Sequence, residues 1–488
     1  MNALKKIPFF LFLLVLFFCL HGSVENYGYV NPGEVVMVGT EILFCLALCF
    51  LLLFFLTRKN YIISSLILFF IATWYLFFGA IQDWIKSTSF LSFLLHYAVL
   101  LPVLLICTIG WIVFLKRKRS IQNKLVLYFN ILMLIYCCID VYGLLHKRMV
   151  VEKKQPMASI AFDSTKVRSK PNVYYLLFDE YPGYKSLKDS FGYANDSLYH
   201  FFEQNEFKIL PVFSNYNVTN FSMSSILNMR YVDGHYDPQH LDQHDFQLRL
   251  DEIRTASVVA VFKLMGYQFR NCSIFDVDDQ HGVDDHNSFL PVHSLLLTDK
   301  IFHNRLIRAT GSWLVKFPAW KRKYLFQHDV NNKISEDMVR KIAAEKKDAP
   351  LFCYAHFLMP HPPFYRDSTG EYYSEEQLND QHDRKKELYL SYVKYTNSFI
   401  HSLVNRLVSD DPNAILVVMS DHGYRDFKDM APNVPFNFDN ICAVRFPDKD
   451  YIAMKEKWSS VNFFRYLFNC EFGQHIPYLA DSSIMLNY

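Results

Sequence analysis

The 488-residue chain is poor in charge: Asp, Glu, Lys and Arg make up 20% of it against 51% hydrophobic residues. That balance excludes a disordered polymer. No internal repeat or low-complexity tract is present, which excludes a solenoid. The second half carries no basic stripe, and this argues against a nucleic-acid binder. None of the 10 cysteines falls in a C-x-x-C pair, so a zinc-ribbon or thiol-redox motif is missing. The acid- and His-rich stretch Asp276–His286 (DVDDQHGVDDH) lacks EF-hand spacing and reads as a solvated loop, part of which can reach an active site.

Charge and hydrophobicity are unevenly spread. Residues 1–150 hold 12 Lys+Arg against 5 Asp+Glu, whereas the remaining 338 hold 38 against 43, so the net +2 averages two different halves. The first half contains five apolar stretches: Ile7–Leu20, Val36–Leu56, Tyr61–Ala80, Phe93–Leu115 and Leu125–Leu145. A helix needs about 20 such residues to cross a ~30 Å hydrocarbon layer. Four stretches meet that length, and the 14-residue first one is taken as an uncleaved span, since no clear A-x-A cleavage site follows it. Lys5, Lys6, Arg58, Lys59, Lys116–Arg119 and Lys124 fall on one side of these spans, and the opposite loops hold only Lys86. The positive-inside rule makes the nine cytoplasmic and places everything after Leu145 outside the cytoplasm. Glu41, His96 and Asp140 are the ionisable residues within the spans, each toward an outer end. There they either form a polar vestibule or simply reach interfacial water.

Residues 147–170 read as a polar linker, and residues 171–488 as one large domain. Asn172–Phe178 (NVYYLLF) and Ala414–Met419 (AILVVM) are short apolar runs that end in Asp179-Glu180 and in Ser420-Asp421-His422-Gly423. Leu351–Phe357 (LFCYAHF) is a third such run, followed by Met359-Pro360-His361-Pro362-Pro363. These suit buried parallel strands. Helical patterns at Asn195–Gln204, Ala256–Met265 and Glu387–Leu407 alternate with them, so the expected fold is α/β with a mostly parallel central sheet. Ligands in such folds gather at strand carboxyl ends, where both acidic clusters lie. A further helical stretch follows Asn217–Ser222, with Asn220 or Ser222 as N-cap, which sets Thr219 at an open, anion-favouring helix amino end.

These motifs resemble those of the alkaline phosphatase/sulfatase superfamily. Asn172–Glu180 is similar to its first strand with a metal-binding acid, and Ser420–Gly423 to its late S/T-D-H-G metal motif. Thr219–Tyr231 (TNFSMSSILNMRY) is similar to the sulfatase signature C-x-P-S-R-x-x-L-L-T-G-R-Y. Thr219 stands where a sulfatase needs Cys or Ser for formylglycine, and Met223 stands where it needs Arg. A threonine behind five spans instead resembles the branch of lipoteichoic acid synthase and lipid A phosphoethanolamine transferase.

The resemblance implies a site in which Asp179, Thr219, Asp421 and His422 gather around one divalent metal, with Thr219 as nucleophile. Glu180 is an alternative ligand beside Asp179. Zn²⁺ suits two carboxylates and an imidazole, with Mn²⁺ and Mg²⁺ left open. His361 and His356 are the substrate-binding candidates. The expected activity is transfer of a phospholipid head-group, of the phosphoethanolamine or phosphoglycerol type, to a glycan or lipid acceptor. The expected location is the cytoplasmic membrane, with the catalytic domain outside the cytoplasm. A phosphodiesterase or atypical sulfatase using the same site is the alternative, and a catalytically silent membrane binding protein is a third reading.

Overall fold

The structure is a computed structural model that describes residues 6–27, 30, 32–153, 162–233, 236–241, 243–283, 295–306, 326–374, 377–378, 385–425, 436–452 and 458–487. The chain divides into two compact units: Met1–Gln155 with His286–Tyr324, and Pro156–Asp285 with Leu325–Tyr488. Of the residues singled out in the sequence, Lys5 and Asp284–His286 lie outside the described set.

The first unit is helical: α1 Phe10–Glu25, α2 Pro32–Leu56, α3 Tyr61–Leu76, α4 Phe78–Ser87, α5 Tyr97–Arg117 and α6 Gln122–Lys153. Among the described residues, α2, α5 and α6 contain segments long and apolar enough to cross a membrane, and the bent pair α3–α4 makes up to four. The 16 residues of α1 rise only ~24 Å, short of the ~30 Å core. The third expected span turns by 56° between α3 and α4, and there Gly79 N–H, in the first turn of α4, donates to Lys300 O at 2.7 Å. α6 runs on to Lys153 and takes in the first residues of the expected linker. His96 precedes α5 as its N-cap, and Asp140 is buried with its Oδ1 3.3 Å from His21 Nδ1. Phe10, Leu14 and Phe18 of α1 pack with Val126 and Met133 of α6 in the unit's core. Asn130 of α6 clamps the start of α1, accepting from Phe10 N–H (2.7 Å) and donating to Ile7 O (2.8 Å).

The second unit alternates strands and helices: β1 Val173–Phe178, α7 Tyr184–Phe191, α8 Asp196–Gln204, β2 Lys208–Ile209, β3 Val212–Phe213, α9 Thr219–Asn228, α10 Gln243–Arg254, α11 Ser257–Leu264 and β4 Gln268–Cys272. After residues 286–324, which belong to the first unit, come α12 Gln327–Ala344, β5 Leu351–Phe357, α13 Lys385–Asp410, β6 Ile415–Met419, β7 Cys442–Arg445, β8 Trp458–Ser459 and α14 Phe463–Glu471. The main sheet has the order β2-β7-β6-β1-β5-β4. β6, β1, β5 and β4 pair in parallel, whereas β7 and β2 add an antiparallel edge, so the sheet is mixed.

β1 explains why the sheet is buried on both faces. Every one of its residues is buried, and alternate side chains feed opposite cores. Val173, Tyr175 and Leu177 join a core built from α9, α11 and α14. Tyr174, Leu176 and Phe178 join one built from α8, α12 and α13. Each such apolar side chain contributes about 1.5–3 kcal/mol by leaving water. Cys272 and Cys353, on neighbouring strands, bring their sulfurs to 3.9 Å as free thiols.

Candidate functional site

Strand order assembles the site. β1 lies between β6 and β5, with Leu177 in register with both Met419 and His356. The residues leaving the ends of β1 and β6, Asp179 and Asp421-His422, therefore arrive side by side, next to His356 near the end of β5. Gly423 completes the turn after His422, because a Cβ there would collide with Phe436 O. Glu180 adopts φ 60°, a left-handed conformation costing a non-glycine residue about 1–3 kcal/mol. In that conformation its N–H donates to Asp421 Oδ1 at 3.2 Å.

Asp421 Oδ1 also accepts from His422 N–H at 2.9 Å, which fixes the carboxylate and leaves Oδ2 3.2 Å from His422 Nε2. Asp179 lies with Oδ1 3.9 Å from His422 Nε2 and Oδ2 3.6 Å from His356 Nε2. Thr219 Oγ1 is 3.1 Å from His422 Nε2. His422 Nδ1 lies 2.7 Å from Gly423 O, an acceptor only, so Nδ1 holds the proton and Nε2 presents its lone pair. Thr219 is the first residue of α9, preceded by Val218 as N-cap with no capping side chain. The helix thus starts earlier than Asn220 or Ser222 as caps would allow, and Ser222 Oγ instead donates to Asp421 O at 2.6 Å.

The donor set fits a divalent cation. Asp179, His356 and Asp421 form one group of ligand atoms within 4.8 Å of one another, and Asp179, Glu180 and His422 form another. Asp179 Oδ1, Glu180 Oε2, His356 Nε2 and Asp421 Oδ2 are buried and take no hydrogen bond from described residues. Polar atoms so placed each cost about 1–3 kcal/mol unless a ligand satisfies them.

Electrostatics point the same way. Burial raises the Asp179 carboxyl, yet His361, His356 and His422 together hold it well below the usual carboxylate range. Burial and the adjacent Asp179 charge push Asp421 up. Burial, then Arg425, lowers His422 to about 4, so its imidazole is neutral at pH 7 and able to ligate. Burial opposes protonation of His361, but Asp179 and Glu180 outweigh it and raise its pKa.

The sulfatase family profile matches residues 210–457, just over half of the chain. The chain belongs to the sulfatase family. It is therefore a member of an enzyme superfamily, and it carries a candidate metal-binding active site. No curated protein matches this sulfatase-family chain in sequence. Among solved structures, it is similar to the zinc-bound C-terminal periplasmic domain of EptC from Escherichia coli (12% identity, TM-score 0.41, covering 67% of this chain and 89% of that one). It is also similar to the integral membrane lipooligosaccharide phosphoethanolamine transferase A from Neisseria meningitidis (14%, TM-score 0.39, 75% and 67%). A third is the phosphonate monoester hydrolase of Agrobacterium radiobacter (13%, TM-score 0.38, 63% and 75%).

Within this sulfatase-family site, the residues singled out in the sequence are placed as follows. Thr219, Asp179, Asp421 and His422 converge. His356, considered for substrate binding, also falls among the metal-ligating groups, with its Nδ1 3.1 Å from Tyr354 Oη. Glu180 turns its Oε1 to Arg425, 2.6 Å from both Nε and Nη2. His361 lies with its ring 5.8 Å from that of His328. Of the Asp276–His286 loop, the residue just before it, Phe275, packs edge-on against His356 at 5.5 Å. Sequence reasoning missed Arg425, Tyr354 and His328. Arg425 alone had a legible signal, a cation three residues beyond an Asp-His pair.

Proposed function

We propose that this chain is a membrane-held, divalent-metal-dependent phosphotransferase. Thr219 takes a phosphoryl-linked head-group, phosphoethanolamine or phosphoglycerol in type, from a phospholipid and passes it to a glycan or lipid acceptor. The helical unit sits in the cytoplasmic membrane with the catalytic unit outside the cytoplasm; the positive-inside rule supports this by turning the basic loops with Arg58, Lys59, Lys116–Arg119 and Lys124 to the cytoplasm. The expected division into residues 1–146, 147–170 and 171–488 belongs to the same reading.

One observation carries it: the Thr219 hydroxyl stands at the start of an uncapped helix, 3.1 Å from His422 Nε2, beside a group of unsatisfied buried carboxylates. Asp179, Asp421 and His422 would hold the cation, with His356 Nε2 facing the same region; carboxylate and imidazole donors favour Zn²⁺ over Mn²⁺ or Mg²⁺. A cation bound there would lower the pKa of the Thr219 hydroxyl and offset phosphoryl charge; Thr219 gives up its hydroxyl proton to solvent.

The remaining work falls to the protein. Thr219 Oγ1 attacks phosphorus as the bond to the diacylglycerol oxygen breaks. The α9 amino end, whose first N–H groups lie outside the helical ladder, suits the non-bridging oxygens. His361, whose proton Asp179 and Glu180 favour, protonates the leaving oxygen. An acceptor hydroxyl then attacks phosphorus, returns a proton to His361 and frees Thr219.

The test uses the purified protein with head-group-labelled phospholipid vesicles, with and without a glycan acceptor. Mass spectrometry is expected to find the head-group mass on the peptide holding Thr219, and Thr219→Ala is expected to lose the adduct and at least ~10³-fold in turnover. Full turnover by Thr219→Ala would remove the nucleophile from this scheme. Label passing only to water, whatever acceptor is supplied, would make the enzyme a hydrolase.

A further inference from the structure

Residues 295–306 fall between β4 and β5 in the chain order of the catalytic sheet, yet they belong to the helical unit. Their seat there is a built one. Leu297 and Ile301 are buried in the helical core with Phe10, Leu14 and Phe18 of α1. The Phe302 ring lies 4.9 Å from that of Phe78 and 5.9 Å from those of Trp74 and Tyr75, at the junction of α3 and α4.

Two glycines make room for the segment. A Cβ on Gly22 of α1 would come to 2.7 Å from Leu297, and one on Gly79 of α4 to 2.8 Å from Lys300 Cα. The Lys300 carbonyl accepts the Gly79 N–H at the bend between α3 and α4. Polar contacts frame the apolar seat: Lys300 Nζ with Glu25 Oε2 at 2.6 Å, Arg305 with both Asp83 oxygens at 3.1–3.2 Å, and Tyr75 Oη with His303 Nδ1 at 3.0 Å.

We propose that Leu295–Leu306 is a second anchor, by which the catalytic part of the chain plugs non-covalently into the membrane helices. The partner is this chain's own α1 and α3–α4 junction. Chain continuity gives the plug its effect: the polypeptide passes between the two units three times, after Gln155, after Asp285 and after Tyr324. Cutting the first passage leaves residues 156–488 held, among the described residues, by the plug. If the proposed transfer reaction holds, such an anchor keeps the site with substrates embedded in the bilayer. The plug itself is testable without reference to that reaction.

The full-length protein in native membranes, carrying a specific protease site inserted after Gln155, is cleaved and the membranes are floated on a density gradient. The 156–488 fragment is expected to float with the membranes. With Phe302→Asp or Leu297→Asp, at least ten times less of it is expected to float. Gly79→Leu, which changes only the receiving helix, is expected to release the fragment as well. Zinc stoichiometry of released fragments equal to that of the uncut protein excludes misfolding of the catalytic unit as the cause. Release of the unsubstituted fragment on cleavage overturns the proposal, as does retention of all three variants at the unsubstituted level.

Discussion

Tyr354 and His356 stand two apart on β5, and the Tyr354 hydroxyl lies 3.1 Å from His356 Nδ1. That contact engages one ring nitrogen and leaves the other, Nε2, facing Asp179. Hydrogen bonds of this kind hold a ligating histidine in its tautomer and orientation, and losing one typically weakens metal binding about 10–100-fold. Tyr354→Phe is therefore expected to lower metal affinity by that factor in chelator competition while leaving the circular dichroism spectrum unchanged. Arg425 poses a different problem. Its guanidinium meets the buried Glu180 carboxylate, so Arg425→Ala leaves a charge behind in a low-dielectric place. A loss of about 3–5 kcal/mol in unfolding free energy is expected, of which the Glu180→Gln, Arg425→Ala double variant should recover a large part. Equal loss in the single and double variants would show that the pair's charge is not the cause. At this scale the acids were legible because Asp179 and Asp421 end uninterrupted apolar runs. Tyr354 was not: inside LFCYAHF an aromatic hydroxyl looks like any other strand residue, and its role depends on which imidazole nitrogen it meets.

Elements were legible in proportion to how fully the sheet buries them. β1, β5 and β6 lie inside the sheet with both faces covered, and their sequences are apolar apart from His356 of β5. β4 has the sequence QFRNC with alternate residues exposed at the sheet edge, and β7 spans only four residues, so neither has a strong pattern. The bend between α3 and α4 had no signal at all, since the carbonyl that takes the Gly79 N–H there is more than 200 residues away in sequence. α14 supports a prediction at this level. It ends in Glu471, an acid at the negative end of a helix dipole. Burial first, then the nearby Asp448 and Asp450 charges, push its carboxyl up to about 8. Near pH 4 both the folded and unfolded forms hold the proton. As pH rises toward 8 the unfolded chain releases a proton that the folded chain keeps, so stability falls through that window. Glu471→Gln should therefore match the parent at pH 4 and exceed it at pH 8, by about 1–3 kcal/mol, because glutamine has no proton for the unfolded chain to release. Thermal unfolding at the two pH values checks this; a gain independent of pH would exclude the titration as its origin.

The whole molecule divides cleanly by its cores. Among the described residues, the two clusters flanking the catalytic sheet contain none from 1–155 or from 295–306. Leu297 and Ile301 belong instead to the core that α1, α3 and α6 build. A unit whose core is self-contained can fold alone, whereas a plug without its socket leaves large apolar side chains in water. The two parts of the catalytic unit, 156–285 and 325–488, joined by a flexible Gly/Ser linker of about 15 residues, should fold as a soluble monomer. That protein should bind zinc through Asp179, Asp421 and His422. Residues 156–488 left continuous keep Leu297, Ile301 and Phe302 with nothing to cover them, and should self-associate or require detergent. Sedimentation velocity together with zinc content separates the two forms. If the excised form is insoluble, the helical unit supplies part of the catalytic core after all. If both forms are equally monomeric, the apolar face of residues 295–306 finds cover within residues 156–488, and the fold has no need of the membrane helices to satisfy it.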